Sequence, residues 1–241
     1  MAKIDRKKLL KEPDEFLTIS DRAVRWAKTH TRVLIISVSS LLAAMLLVVG
    51  IQTYLNYRQA QGAQAFAQAF AYYNDTVSGQ AEPAQAAAAA RELAQVVEKY
   101  GATEAGQQAA LALGEVHLRQ GRYAEAESVL RDLSDEPGLP AELAPLIWRD
   151  LGQALEGQKK YAEAAEAYQG AVKMAGPSLA GLFKLDQARA LAAAGKANQA
   201  QEVYLALAGQ EQDLTVNQLA RQRLVALGVA PESLPAPAVA Q

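Results

Sequence analysis

The chain has 241 residues, of which 51% are hydrophobic, 21% charged and only 6% aromatic, and alanine fills 51 positions, a helix-forming composition. With 16 Gly and 9 Pro there is too little turn chemistry for an all-β fold of many short strands, and 24 basic against 26 acidic residues leave a charge of −2 with no overall field to gather nucleic-acid phosphates. The absence of Cys and the presence of only two His, His30 and His117, remove disulfides, thiolate nucleophiles, Cys/His zinc clusters and nearly all His-based catalysis.

Residues 1–32 read as a basic arm with nine Lys/Arg against five acids, a net of +4, and with an amphipathic helix from Pro13 through Phe16, Ile19 and Val24. From Val33 to Tyr57 no residue is charged, and 33–55 holds the ~20 apolar residues a transmembrane helix needs. Thirty-two residues precede the run, and the run exceeds the ~7–15 residues of a signal-peptide core, so an uncleaved anchor is expected. Trp26, Tyr54 and Tyr57 stand where interfacial rings are favoured, and Ser37, Ser40 and Ala44 share a face that would admit another helix. The first basic residue after the span is Arg58, and the next is Arg91, so the arm is expected in the cytoplasm and the C-terminal part across the membrane, in a bacterium the periplasm. That part keeps 15 of the 24 basic and 21 of the 26 acidic residues, a net of −6.

Beyond the span, Phe66, Phe70, Tyr73 and Val77, then Ala86, Ala90, Leu93, Val97 and Tyr100, recur at helical spacing and predict a capping helix pair over 56–104. Segments around Tyr123, Tyr161 and Ala197 align at spacings of 38 and 36 residues, predicting three helical repeats over 105–212. The clearest copy, WRDLGQALEGQKKYAEAAEAYQGAVKMAGP, carries Trp148, Leu151, Gly152, Tyr161, Ala164, Tyr168, Ala171 and Pro177 in order. It resembles the tetratricopeptide repeat, with Pro177 one place late. An earlier copy holds Leu113, Gly114, Gly121, Tyr123, Ala126 and Leu130, with Ala110 and His117 at aromatic positions; a later one keeps Leu191, Gly195, Ala200 and Tyr204 but has Ala188 and Ala197 at the central Gly and Tyr positions. A last helix after Asp213, with Ala220, Leu224 and Leu227 on one face and Gly228 as its stop, is predicted to cap the stack over 213–229. Residues 230–241, with three prolines and no period, are expected to be disordered.

Reactive chemistry is missing. Gly195-Lys196 is followed by Ala197, with Ala190 where a phosphate loop needs its first Gly, and Gly176-Pro177-Ser178-Leu179-Ala180 has neither the last Gly of a nucleophile elbow nor a His after it. Ser178 is read as a helix cap, His117 as a packed side chain, and the runs Glu125, Glu127, Arg131 and Lys159, Lys160, Glu163, Glu166 as solvated faces. No catalytic residue, metal ligand or cofactor is expected.

The fold class is therefore all-α, a single N-terminal transmembrane helix followed by a TPR-like α-solenoid of antiparallel helix pairs. In tetratricopeptide arrays the first helix of each pair lines a binding groove. The resemblance thus implies a protein-binding groove of Leu111, Glu115, Leu118, Arg119, Arg149, Gln153, Glu156, Leu185 and Arg189, a mixture suited to an extended or helical peptide. The Lys and Asn residues with which cytosolic chaperone adaptors of this family hold a C-terminal carboxylate are not matched, since Glu115, Gln153 and Arg189 stand there. As architecture, the chain resembles the ancillary subunit of the bacterial Sec translocon, whose periplasmic domain is related to a cell-division coordinator. That resemblance implies a non-enzymatic adaptor between translocon subunits, exported chains and periplasmic chaperones. The alternative is a scaffold subunit of a pilus, secretion or wall-synthesis complex.

Overall fold

The computed structural model describes residues 15–77, 83–209 and 213–234, so the basic stretch 1–14 and the tail 235–241 lie outside the described residues. Every regular element among the described residues is helical. The chain divides into two compact units, Met1–Tyr57 and Arg58–Gln241.

The first unit contains α1 (Glu15–Thr29) and the beginning of α2 (Thr31–Val77), separated at His30. The Thr29 and Thr31 hydroxyls donate to the carbonyls of Trp26 and Lys28, each at 2.9 Å, and the His30 ring stacks on Trp26 at 4.9 Å. From Val33 to Tyr57 every residue except Leu34 is exposed, Leu46 at 72%. A helix closes its own backbone hydrogen bonds, so it can stand in hydrocarbon without a partner. This one is long and apolar enough to cross a membrane.

The predicted span lies wholly inside α2, which runs on to Val77. The helix expected over Phe66, Phe70, Tyr73 and Val77 is thus the C-terminal part of α2 and not a separate element. The reason is local: between Arg58 and Val77 there is no Pro and one Gly in an Ala- and Gln-rich run, so nothing stops helix propagation.

In the second unit, α3 (Pro83–Tyr100), α4 (Glu104–Arg119), α5 (Tyr123–Ser134), α6 (Ala144–Gly157), α7 (Tyr161–Met174), α8 (Pro177–Ala193), α9 (Ala197–Ala208) and α10 (Leu214–Ala226) pack in succession. Each helix from α4 to α9 lies against the one before and the one after, and α4 also meets α6, as α8 meets α10. This nearest-neighbour order is that of a solenoid. One apolar cluster joins Ala69 to Leu93, Val96, Leu113 and Val116; a larger one runs from Ala110 through Ile147, Leu151 and Tyr168 to Tyr204, Leu207 and Leu224.

The repeat spacing is visible in the backbone. The turns between paired helices pass through the left-handed region at Gly121 (φ 69°), Lys159 (φ 63°) and Gly195 (φ 78°), at spacings of 38 and 36 residues. Gly152 supplies the close approach expected of it, since a Cβ there would lie 2.6 Å from the Tyr168 ring. Tyr168 is fully buried, a burial worth roughly 2–3 kcal/mol at ~25 cal/mol per Å². Asp213 caps α10 by accepting from the Thr215 and Val216 amides at 2.9 and 3.0 Å, Ala220 and Leu224 are fully buried, and Gly228 ends the segment at φ 86°. Past it, Pro231–Ser233 form a short 3-10 turn and Leu234 packs on the larger cluster, so the stretch expected to be disordered from 230 begins with order.

Two local readings are corrected. Ser178 is not a cap: Gly176 occupies the N-cap of α8 without a side-chain bond, and Pro177 takes the first turn, where its missing N–H costs nothing. Glu127 and Lys160 are not simply solvated. Glu127, on α5, accepts from Lys160 Nζ at 2.8 Å, Arg131 at 2.7 Å and Gln158 at 2.7 Å, tying one repeat to the next. The Lys160 bond, with Arg131 and Gln158, outweighs burial and holds its carboxyl down at about 2.

Candidate functional site

All nine predicted groove residues lie on first helices of the pairs: four on α4, three on α6 and two on α8. Arg119 and Arg189 are exposed and the other seven are half-buried. Leu111, Leu118 and Leu185 pack partly on the larger apolar cluster, because α4, α6 and α8 bury one flank against the second helices while the other faces outward. Three groups form. Arg149, Leu185 and Arg189 meet in a recess of about 490 Å³ between α6, α8 and α10. Leu118, Gln153 and Glu156 line a smaller recess of about 350 Å³ with Tyr123 and Gly157. Leu111, Glu115 and Arg119 join neither; the Tyr73 hydroxyl of α2 donates to Glu115 instead.

An ionic chain links the first two groups. Arg189 grips Glu156 with two hydrogen bonds of 2.9 Å and Asp186 at 2.9 Å, and Arg149 approaches Asp150 at 3.4 Å and Asp186 at 4.0 Å. The Tyr168 hydroxyl, reaching out of the core, donates to Glu156 at 2.8 Å. Burial alone would raise the Glu156 carboxyl, but the Arg189 and Tyr168 hydrogen bonds outweigh it and hold the group below its ordinary value. Burial and the neighbouring Glu156 charge push the Tyr168 phenol up. Because Arg189 of α8 grips Glu156 of α6, it ties the register of these two helices as well as lining the larger recess.

Sequence reasoning overlooked Asp150 and Asp186. Asp150 is 2% exposed, and burial, reinforced by Glu115 and opposed by Arg149, pushes its carboxyl up to about 7. The signal was present: Asp150 falls on the apolar stripe Ile147, Leu151, Ala154, where a charged residue is out of place, and Asp186 follows it by 36 residues, one repeat length. Leu179, Leu182 and Leu219 of the larger recess were likewise outside the predicted set. His117 is 9% exposed and burial lowers its imidazole, with Arg122 adding to the effect, which fits a packed side chain. Among the described residues no group of three or more His, Cys, Asp or Glu is placed to hold a metal ion.

An all-helical stack of antiparallel pairs, with close contacts at small residues and a polar-apolar face on the first helices, defines a repeat protein built to bind other proteins or peptides. The tetratricopeptide repeat family model matches residues 82–140 and 111–178, so this part of the chain consists of tetratricopeptide repeats. The match stops at the start of α8, yet α8 and α9 continue the geometry, with Gly195 at the turn and buried Ala188 and Tyr204 at the contact. No curated protein and no solved structure matches the chain.

Proposed function

We propose that this protein is a non-enzymatic adaptor, anchored by α2 in the bacterial inner membrane with its arm in the cytoplasm and its repeats in the periplasm. It acts at the Sec translocon, where the repeats receive exported chains and link them to periplasmic chaperones. The observation that carries this reading is the pairing, in one chain, of an unpartnered apolar helix with a repeat face that leaves leucine and arginine exposed in a recess. Tethering such a face to the membrane raises its effective concentration near emerging chains without any gain in intrinsic affinity.

The test is photo-crosslinking in native membranes with probes at Gln153 and Leu182, followed by mass spectrometry. Many exported chains together with translocon subunits is the expected capture. A single stoichiometric envelope protein would replace the adaptor by the scaffold reading, and no captured protein would overturn both. Since the chain has no native cysteine, a Ser128→Cys variant also reads topology: a membrane-impermeant maleimide should label it in intact spheroplasts.

A further inference from the structure

The recess between α6, α8 and α10 gathers three exposed leucines in one concave place and carries a charge opposite in sign to that of the chain beyond residue 32. Leu179, Leu182 and Leu219 line it at 38%, 42% and 38% exposure, whereas Leu151, Leu155 and Leu207 in the same unit are at most 2% exposed. Its charged lining is Arg149, Arg189 and Arg223 against Asp186, a net of +2, although the chain beyond residue 32 carries −6. Arg149 and Arg189 are engaged by carboxylates of the groove. The Arg223 side chain is exposed and makes no ion pair or hydrogen bond among the described residues, one helical turn beyond Leu219 on α10. At about 490 Å³ the space falls within the roughly 300–1,000 Å³ of sites that hold ligand groups.

Building on the protein-binding reading, we propose that this recess docks an acidic amphipathic peptide segment of the partner. Its apolar side chains enter among Leu179, Leu182 and Leu219, and one of its carboxylates pairs with Arg223. Covering the leucines supplies affinity through the water they release, while the arginine supplies selection, since a charge at the rim of an interface discriminates partners more than it tightens binding. A basic segment would bring its cations against Arg223 with no carboxylate on α10 to answer them, because α10 contains no acidic residue. Docking here also leaves the Arg189 to Glu156 link intact, so binding requires no rearrangement of the α6 and α8 register.

The experiment uses the full chain in neutral-lipid nanodiscs and fluorescence anisotropy with two labelled helical peptides. One presents Leu on one face and Glu on the other; its counterpart carries Lys in place of every Glu. The acidic peptide is expected to bind about ten-fold more tightly than the Lys peptide, with Arg223→Glu removing or reversing that preference and Arg223→Gln giving an intermediate loss. Leu182→Ser should weaken the acidic peptide without changing the helical circular dichroism. Equal affinity for the two peptides, or an Arg223→Glu variant that keeps the acidic preference, overturns the proposal. If crosslinks from Gln153 and Leu182 still capture partners while the charge swap is silent, the recess assignment alone falls. If nothing is captured, the adaptor reading falls.

Discussion

The two units contain much the same apolar residue types and dispose of them in opposite ways. Between Val33 and Tyr57, leucine, isoleucine and valine point outward around the whole helix, whereas in the repeats Leu151, Ile147 and Leu207 are sealed between helices. The difference lies in periodicity and in small residues. The first stretch has no polar stripe to turn toward water and is long and apolar enough to cross a membrane; the second places Gly152, Gly157 and Gly170 where a ring of the adjoining helix arrives. An apolar residue is thus left on the outside of a lone helix in one unit and is a packing element in the other.

The sharpest way to break the comparison is to empty the core. Tyr168→Ala removes a ring lodged on Gly152 and the hydroxyl that reaches Glu156, and should cost the repeat unit roughly 3–5 kcal/mol in urea unfolding followed by circular dichroism. A loss under about 1 kcal/mol would mean that the ring belongs to no cooperative core. Leu46→Asp attacks the other unit: insertion should be disfavoured by about 3 kcal/mol, read as a larger carbonate-extractable fraction, while the repeats unfold as before. A change in repeat unfolding would end the distinction between the units.

Asp150 sharpens the comparison through pH. Its folded carboxyl titrates near 7, above the 3.8 of an unperturbed aspartate, so the folded state holds the proton more tightly. The stabilisation is complete below about 4 and is lost as pH rises toward 7. Asp150→Asn should flatten that decline and leave the repeats on the order of 2 kcal/mol more stable than the parent at pH 8, measured by urea midpoints across pH. An unchanged pH profile would place the titration elsewhere. The smallest effect is expected at Lys159, the non-glycine residue with φ of 63° at the repeat turn. Lys159→Gly relieves left-handed strain but loosens the unfolded chain, leaving a gain of about 0.5 kcal/mol in thermal unfolding; Gly121→Ala at the equivalent turn should instead destabilise by about 1 kcal/mol.

Much of the architecture was legible in residues 33–57 and in the copies around Tyr123, Tyr161 and Ala197, because uninterrupted apolar length and a fixed repeat spacing are one-dimensional signals. The α8–α9 pair was readable even without its central Gly and Tyr, since Gly195 and Tyr204 keep their places. Less legible was how first-helix residues share their work. Leu185 and Arg189 stand on the same helix, four residues apart, yet one packs partly on the core and the other bridges to Glu156.

By itself the sequence determined the helical class, the apolar span, the repeat spacing and the absence of cysteine, all of which follow from composition and spacing along the chain. Only the tertiary structure decided that Asp150 is buried, that Glu127 clasps the following repeat, and that Leu179, Leu182 and Leu219 converge with Arg223 on one recess. Those outcomes depend on which helices meet and how much water remains between them. Burial and pairing are properties of neighbours distant in the chain, and no local spacing encodes them.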